Sequence, residues 1–166
     1  RLKTYTMLAA LTIALAGCVA PQQQTTTATA PAKAPHAFKP IEFKYDSKQP
    51  ESSNFARQLD LPIFQCELEA QTGSYAVRYG NRQGIAEYSQ SLLDCNRHAR
   101  AEGDAAVARL KAASVPKSQS ELAKVLYAKW SAYLGTISPY SRTDIRAKSE
   151  YRAAKEALAT EVKFSQ

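Results

Sequence analysis

The chain has 166 residues, 45% of them hydrophobic and 22% charged, a balance that suits one globular domain and excludes disorder throughout. Its 22 Lys and Arg against 15 Asp and Glu leave a net charge of +7, but Arg1 and Lys3 lie in a segment read below as a leader, and basic and acidic residues interleave from Lys39 to Lys163. That pattern lacks the basic stripe nucleic-acid binding requires, so no nucleic-acid partner is expected.

The first 18 residues, RLKTYTMLAALTIALAGC, run from a short basic head through an apolar stretch, Met7 to Leu15, into small residues. A helix crossing a bilayer core needs about 20 apolar residues; a run this short, followed at once by Gly17, Cys18 and a polar tract, reads as a signal peptide. The chain begins at Arg1, and a trimmed initiator before it keeps the basic head, whereas initiation at Met7 would remove it. Leu15-Ala16-Gly17-Cys18 resembles the lipobox of bacterial lipoproteins. The resemblance covers only the leader. It implies a diacylglyceryl thioether on Cys18 and usually a further acyl chain such as palmitate, so that the bilayer itself is a partner. Each buried methylene contributes about 0.8 kcal/mol, so two or more chains anchor a protein stably without any spanning helix. Val19 and Ala20 follow where inner-membrane lipoproteins of enteric bacteria tend to carry aspartate, and the resemblance therefore favours the outer membrane, facing the periplasm.

From Val19 to Pro40 the composition shifts to Thr, Gln, Ala and four prolines with no apolar periodicity, as a flexible linker would have it. The domains expected are thus a leader over 1–17, a lipidated cysteine and linker over 18–40, and a helical body over 41–166. Ile41 to Asp46 alternates apolar and polar residues, which suits a short strand or an extended arm; an arm is favoured because no strong partner strand follows.

Four helices are expected near 54–79, 84–113, 119–137 and 143–164, giving an all-α, up-and-down antiparallel bundle. Gly80-Asn81-Arg82-Gln83-Gly84 is turn chemistry, Ser114-Val115-Pro116 stops the second helix, and Ser118 to Glu121 has the spacing of a capping box. Ser138-Pro139 closes the third helix, and Thr143 is placed to cap the fourth with Asp144 in its first turn. Ile85, Tyr88, Leu92, Cys95, Ala99, Ala106 and Leu110 keep helical spacing on the second helix, and Ala147, Tyr151, Ala154, Leu158 and Val162 on the fourth.

With Cys18 lipidated, Cys66 and Cys95 remain, an even pair for an oxidising compartment. They stand 15 residues before and 14 after Asn81, so antiparallel helices bring them level. Facing Cα atoms on helices 8 to 10 Å apart come within roughly 3.5 to 5.5 Å, in disulfide range at close approach. Ala70 and Gly73 share the face of Cys66 and offer the second helix a narrow seam.

Few residues are suited to catalysis. The histidines are His36, in the linker, and His98, beside Arg97 and Arg100; no Cys-x-x-Cys, zinc-peptidase, nucleophile-elbow or phosphate-loop motif occurs. Glu67 and Glu69, two apart on a helix, point in opposite directions and make no carboxylate pair. No enzyme, metal or cofactor beyond the lipid is expected. The stretch Arg100 to Lys117 resembles the helix leading to a Val-Pro in peptidoglycan-binding domains of the outer-membrane-protein-A-like group, but Cys95-Asn96-Arg97 stands where that family has a Leu-Ser pair, and its β elements are missing.

On the third helix Leu122, Val125, Leu126, Tyr127, Trp130, Tyr133, Leu134 and Ile137 cover an arc of about 200°, wider than the stripe of somewhat over 100° that one-sided packing requires. This helix therefore sits centrally or leaves an edge, Tyr127, Trp130 and Leu134, for the amphipathic helix of a partner. The architecture resembles pilotins, small lipoproteins that clasp a helix of secretin subunits, which implies an envelope protein-binding or assembly factor. The alternatives are an inhibitor of a lysozyme-type hydrolase and a peptidoglycan-contacting structural lipoprotein. A clasp requires an open apolar groove at Trp130, an inhibitor a protruding polar loop, and a wall binder a polar cleft that accepts a carboxylate. Cys18→Ser is expected to move the protein from the membrane pellet to the soluble fraction on ultracentrifugation; retention in the pellet would contradict the anchor.

Overall fold

The computed structural model of the protein describes residues 34–165, so the leader, Cys18 and most of the expected linker lie outside the described residues. Four helices follow an extended arm: α1 (Glu51–Arg78), α2 (Arg82–Ala112), α3 (Lys117–Leu134) and α4 (Ile145–Phe164). No strand occurs among the described residues, and the β-α alternation of the outer-membrane-protein-A-like fold is not found there.

Cross-helix pairs establish the topology. Gln58 meets Glu102, Cys66 meets Cys95 and Glu69 meets Ser91, so numbers rising along α1 fall along α2. Ser52 meets Gln119 and Glu67 meets Tyr133, which sets α3 parallel to α1. Glu67 meets Lys148 and Asp60 meets Lys155, which sets α4 antiparallel to α1. The bundle is up-down-up-down, with α1 touching all three other helices. α3 likewise touches the other three helices, in keeping with the width of its apolar arc, and the inner face of α1 buries Phe55, Leu59, Pro62, Ile63 and Cys66.

The α1–α2 turn is built from backbone chemistry. Gly80 takes φ +64°, a left-handed conformation glycine adopts without steric cost. The Asn81 and Gly80 N–H groups then donate back to Ala76 and Val77 carbonyls at 2.9 and 3.2 Å, a Schellman closure. The Asn81 side chain caps α2 by accepting from the Gly84 N–H at 3.1 Å. The resulting hairpin sets Cys66 and Cys95 in a disulfide with Cα atoms 5.6 Å apart. Gly73 carries the same seam onward, since a Cβ there would stand 3.0 Å from Cβ of both Tyr88 and Pro139.

Helix starts differ from expectation wherever proline or aspartate competes with a hydroxyl. α1 begins at Glu51 behind Pro50, and α3 at Lys117 behind Pro116. Pro116, at φ −51° with no side-chain cap bond, delivers its carbonyl to the Ser120 N–H at 3.0 Å. Ser118 is thereby inside the first turn, and the capping box does not form. In α4 the cap is Asp144, which accepts from the Ala147 N–H at 2.9 Å, rather than Thr143. α3 ends at Leu134, ahead of Ser138-Pro139. The inward stripe of α4 is as expected, with Tyr151, Ala154, Leu158 and Val162 buried.

The arm lies along the α1–α2 hairpin, running opposite to α1. Asp46 N–H donates to Asn54 Oδ1, Ile41 N–H to Gln65 Oε1, and the His36 ring reaches Glu69. It is an arm and not a strand, and the packed body begins before Ile41, because His36 stacks on Tyr88 at 4.3 Å and Phe38 lies against the core beside His98. The alternating residues Phe43 and Tyr45 stack on guanidinium instead of entering the core, each with Arg109 Cζ at 5.4 Å.

Replacing Cys66 and Cys95 together by alanine is expected to lower unfolding free energy by about 3 to 4 kcal/mol, the loop-closure value for a loop of roughly 29 residues, measured by urea denaturation. An intact-mass gain of two hydrogen atoms on reduction checks the pairing.

Candidate functional site

The residues proposed for partner binding differ in exposure, although the rings of Tyr127 and Trp130 stay in contact at 5.2 Å. Trp130 and Leu134 are both 0% exposed. The indole N–H donates to the Leu59 carbonyl at 2.9 Å, and the ring fills space left by Gly103, where a Cβ would stand 2.7 Å from Trp130 Cη2. Burial with its one polar atom bonded makes Trp130 a core residue. Tyr127 alone stays half-exposed, with its hydroxyl donating to Asp104 at 3.1 Å. It edges a shallow groove of about 390 Å³ between α2 and α3, floored by Phe55, Leu110 and Ala123.

A serine, a histidine and a carboxylate do converge, at the start of the arm. Ser91 Oγ donates to Glu69 Oε2 at 2.8 Å, His36 Nε2 lies 2.7 Å from the same oxygen, and Ser91 Oγ and His36 Nε2 are 3.2 Å apart. A nucleophilic triad needs the carboxylate on one imidazole nitrogen and the serine on the other. Here both share Nε2, and the hydroxyl proton is directed at the carboxylate. Ser91 is also buried. The cluster therefore pins the arm, assisted by the His36 N–H donating to Glu87 at 3.1 Å. Sequence spacing held no sign of it, because the three residues come from the arm and two helices.

Glu67 and Glu69 do diverge. Glu69 faces the arm, whereas Glu67 faces α3 and α4, where it accepts from the Tyr133 hydroxyl and pairs with Lys148 at 2.7 Å. One heptad earlier on α1, Asp60 accepts from Tyr151 at 2.6 Å and pairs with Lys155 at 2.9 Å. The two sets are the same device repeated, tyrosine to carboxylate to lysine, at seven-residue spacing on both α1 and α4. Burial raises the pKa of both tyrosines, and the hydrogen bond to a carboxylate raises each further.

Beyond the Glu67 set opens a cleft of about 690 Å³ between the second half of α1 and the α3–α4 loop. Its loop wall is fixed: Pro139 is buried against Gly73, the Tyr140 hydroxyl bonds Ser89 Oγ at 2.8 Å, and Thr136 bonds back to the Tyr133 carbonyl through both its N–H and its hydroxyl. Hydroxyls from Ser74, Thr136, Ser138, Ser141 and Thr143 line it. Of its charges, Glu67 is paired with Lys148, and Asp144 is bonded to the N-terminus of α4. Arg78 and Arg142 form no ion pair among the described residues, which leaves the cleft with uncompensated positive charge. Sequence reasoning passed over it, since its walls are separated by about 60 residues and no motif joins them.

Among the described residues no group of His, Cys, Asp and Glu is arranged to hold a metal ion, and no helix is long and apolar enough to cross a membrane. Comparison of the chain with protein-family models, with curated proteins and with solved structures finds no match.

The raised tyrosine pKa values fix a sign for alkaline pH. Unfolded tyrosine loses its proton near pH 10 while folded Tyr133 and Tyr151 retain theirs, so their contribution is complete below pH 10 and falls as pH rises toward the folded values. Urea unfolding between pH 9 and 11.5 is expected to show this loss, and Tyr133→Phe/Tyr151→Phe to flatten it.

Proposed function

We propose that the chain is a non-catalytic lipoprotein of the bacterial envelope, anchored through acyl chains on Cys18 to the outer membrane and contacting peptidoglycan through the cleft between α1 and the α3–α4 loop. The observation that carries this reading is the pair of guanidiniums, Arg78 and Arg142, beside a hydroxyl-lined cleft whose own carboxylates are already engaged. Cell-wall polymer presents peptide carboxylates beside glycan hydroxyls. Guanidinium recognises carboxylate by charge-assisted, often bidentate, hydrogen bonds, and serine and threonine hydroxyls suit a polyol. The fixed loop wall adds preorganisation.

The pilotin-like clasp has weaker support. It needs an accessible apolar groove at Trp130, and the indole is enclosed between α1, α2 and α3. What is left of that surface is Tyr127 on the shallow α2–α3 groove. The Cys66–Cys95 disulfide is in keeping with an oxidising compartment.

Co-sedimentation with purified sacculi tests the proposal. The protein is expected to pellet with them, and Arg78→Ala/Arg142→Ala to weaken retention by about tenfold or more, since each charge-assisted bond contributes roughly 1.5 to 3 kcal/mol. Equal retention of both forms would count against the cleft, and no retention of either against peptidoglycan as the ligand.

A further inference from the structure

The outer face of α1 carries an apolar stripe that no described element covers. Phe64, Leu68, Tyr75 and Tyr79 are 61%, 53%, 48% and 77% exposed, and at 100° per residue they fall within an arc of about 60° on a helix about 42 Å long. Isolated exposed apolar residues are ordinary; three aromatics and a leucine aligned on one ridge are not isolated, and such a row marks a contact surface. Cations border it. Arg57 lies at one end, and Lys148, Arg152 and Lys155 of α4 lie along the flank beside Phe64. The flank's carboxylates, Asp60 and Glu67, are each paired with a lysine, whereas Arg57 and Arg152 form no ion pair among the described residues.

We infer that this ridge lies on an anionic phospholipid surface. An apolar, aromatic ridge flanked by Lys and Arg is the pattern of an interfacial helix, its rings entering the headgroup boundary and its cations meeting phosphates. The same cations oppose a second copy of the chain, which would bring like charges together. Proximity points the same way and rests on the anchor proposed above. The arm enters the body at Glu69, Glu87 and Tyr88, with Glu69 next in the chain to Leu68 of the ridge, and the 15 residues between Cys18 and Ala34 reach at most about 50 Å, which keeps the ridge within range of the leaflet.

Hydroxyl-radical footprinting of the full chain, alone and with vesicles of phosphatidylglycerol and phosphatidylcholine or of phosphatidylcholine only, reads the ridge directly. Oxidation of Phe64, Leu68, Tyr75 and Tyr79 is expected to fall several-fold with the anionic vesicles only. Arg152→Glu should weaken that protection, 0.5 M salt should weaken it also, and Phe64→Ser/Leu68→Ser should lower vesicle partitioning about tenfold. Equal oxidation with and without anionic vesicles would overturn the inference, leaving a protein partner for the ridge; protection that rises with protein concentration without vesicles would overturn it in favour of self-association. The mass of the Cys18 peptide reports the anchor separately, so loss of one result does not carry the other.

Discussion

The close, level approach of α1 and α2 is the constraint on which the other contacts depend. The disulfide at a Cα separation of 5.6 Å and the buried Gly73 two turns further along the seam hold the hairpin in one register. In that register Glu69 meets Ser91 and the arm's His36, Gln58 lies between Glu102 and Arg109, and Asn81 both ends one helix and begins the other. A one-residue slip would rotate each helix by about 100° against its partner and break these pairs together. The hairpin can therefore serve as a rigid plank, with the arm on one side and α3 and α4 on the other.

α1 connects these parts because it is apolar or specifically polar on almost every side. One sector faces α2, one receives the arm through Gln65 and Asn54, and one presents Asp60 and Glu67 to the tyrosine-lysine pairs of α3 and α4. The remaining sector is the aromatic ridge. Both proposed contacts, the polar cleft and the ridge, are borders of this one helix, and both take their charge from arginines that the bundle leaves unpaired. The half-exposed carboxylates Asp60 and Glu67, by contrast, are each engaged by a tyrosine and a lysine, which keeps them from competing with a ligand for those arginines.

Much of the fold was legible in the chain. The cysteine pair was readable because its two members stand nearly equidistant from a Gly-Asn turn, a property of helix geometry that needs no tertiary information. The buried stripes of α2 and α4 were readable for a similar reason. The candidate site was less so. The width of the α3 stripe was correctly sensed, but an arc of apolar residues does not say whether a neighbour or solvent covers it, and Trp130 found its cover in the space above Gly103 and the Leu59 carbonyl. The hydrogen-bonding groups of the cleft come from segments far apart in the chain, so no local pattern could have assembled them.

Sequence by itself determined the number of helices, their turns, the disulfide partners and the expectation of a lipid anchor, since periodicity, backbone-restricted residues and the resemblance to a lipobox each rest on a few neighbouring residues. Only tertiary structure decided what covers the wide apolar face of α3, that the Pro-rich approach holds His36 and Phe38 against the body, and which arginines stay unpaired. Those outcomes depend on which surfaces compete for the same neighbour, and that competition is settled among residues tens of positions apart.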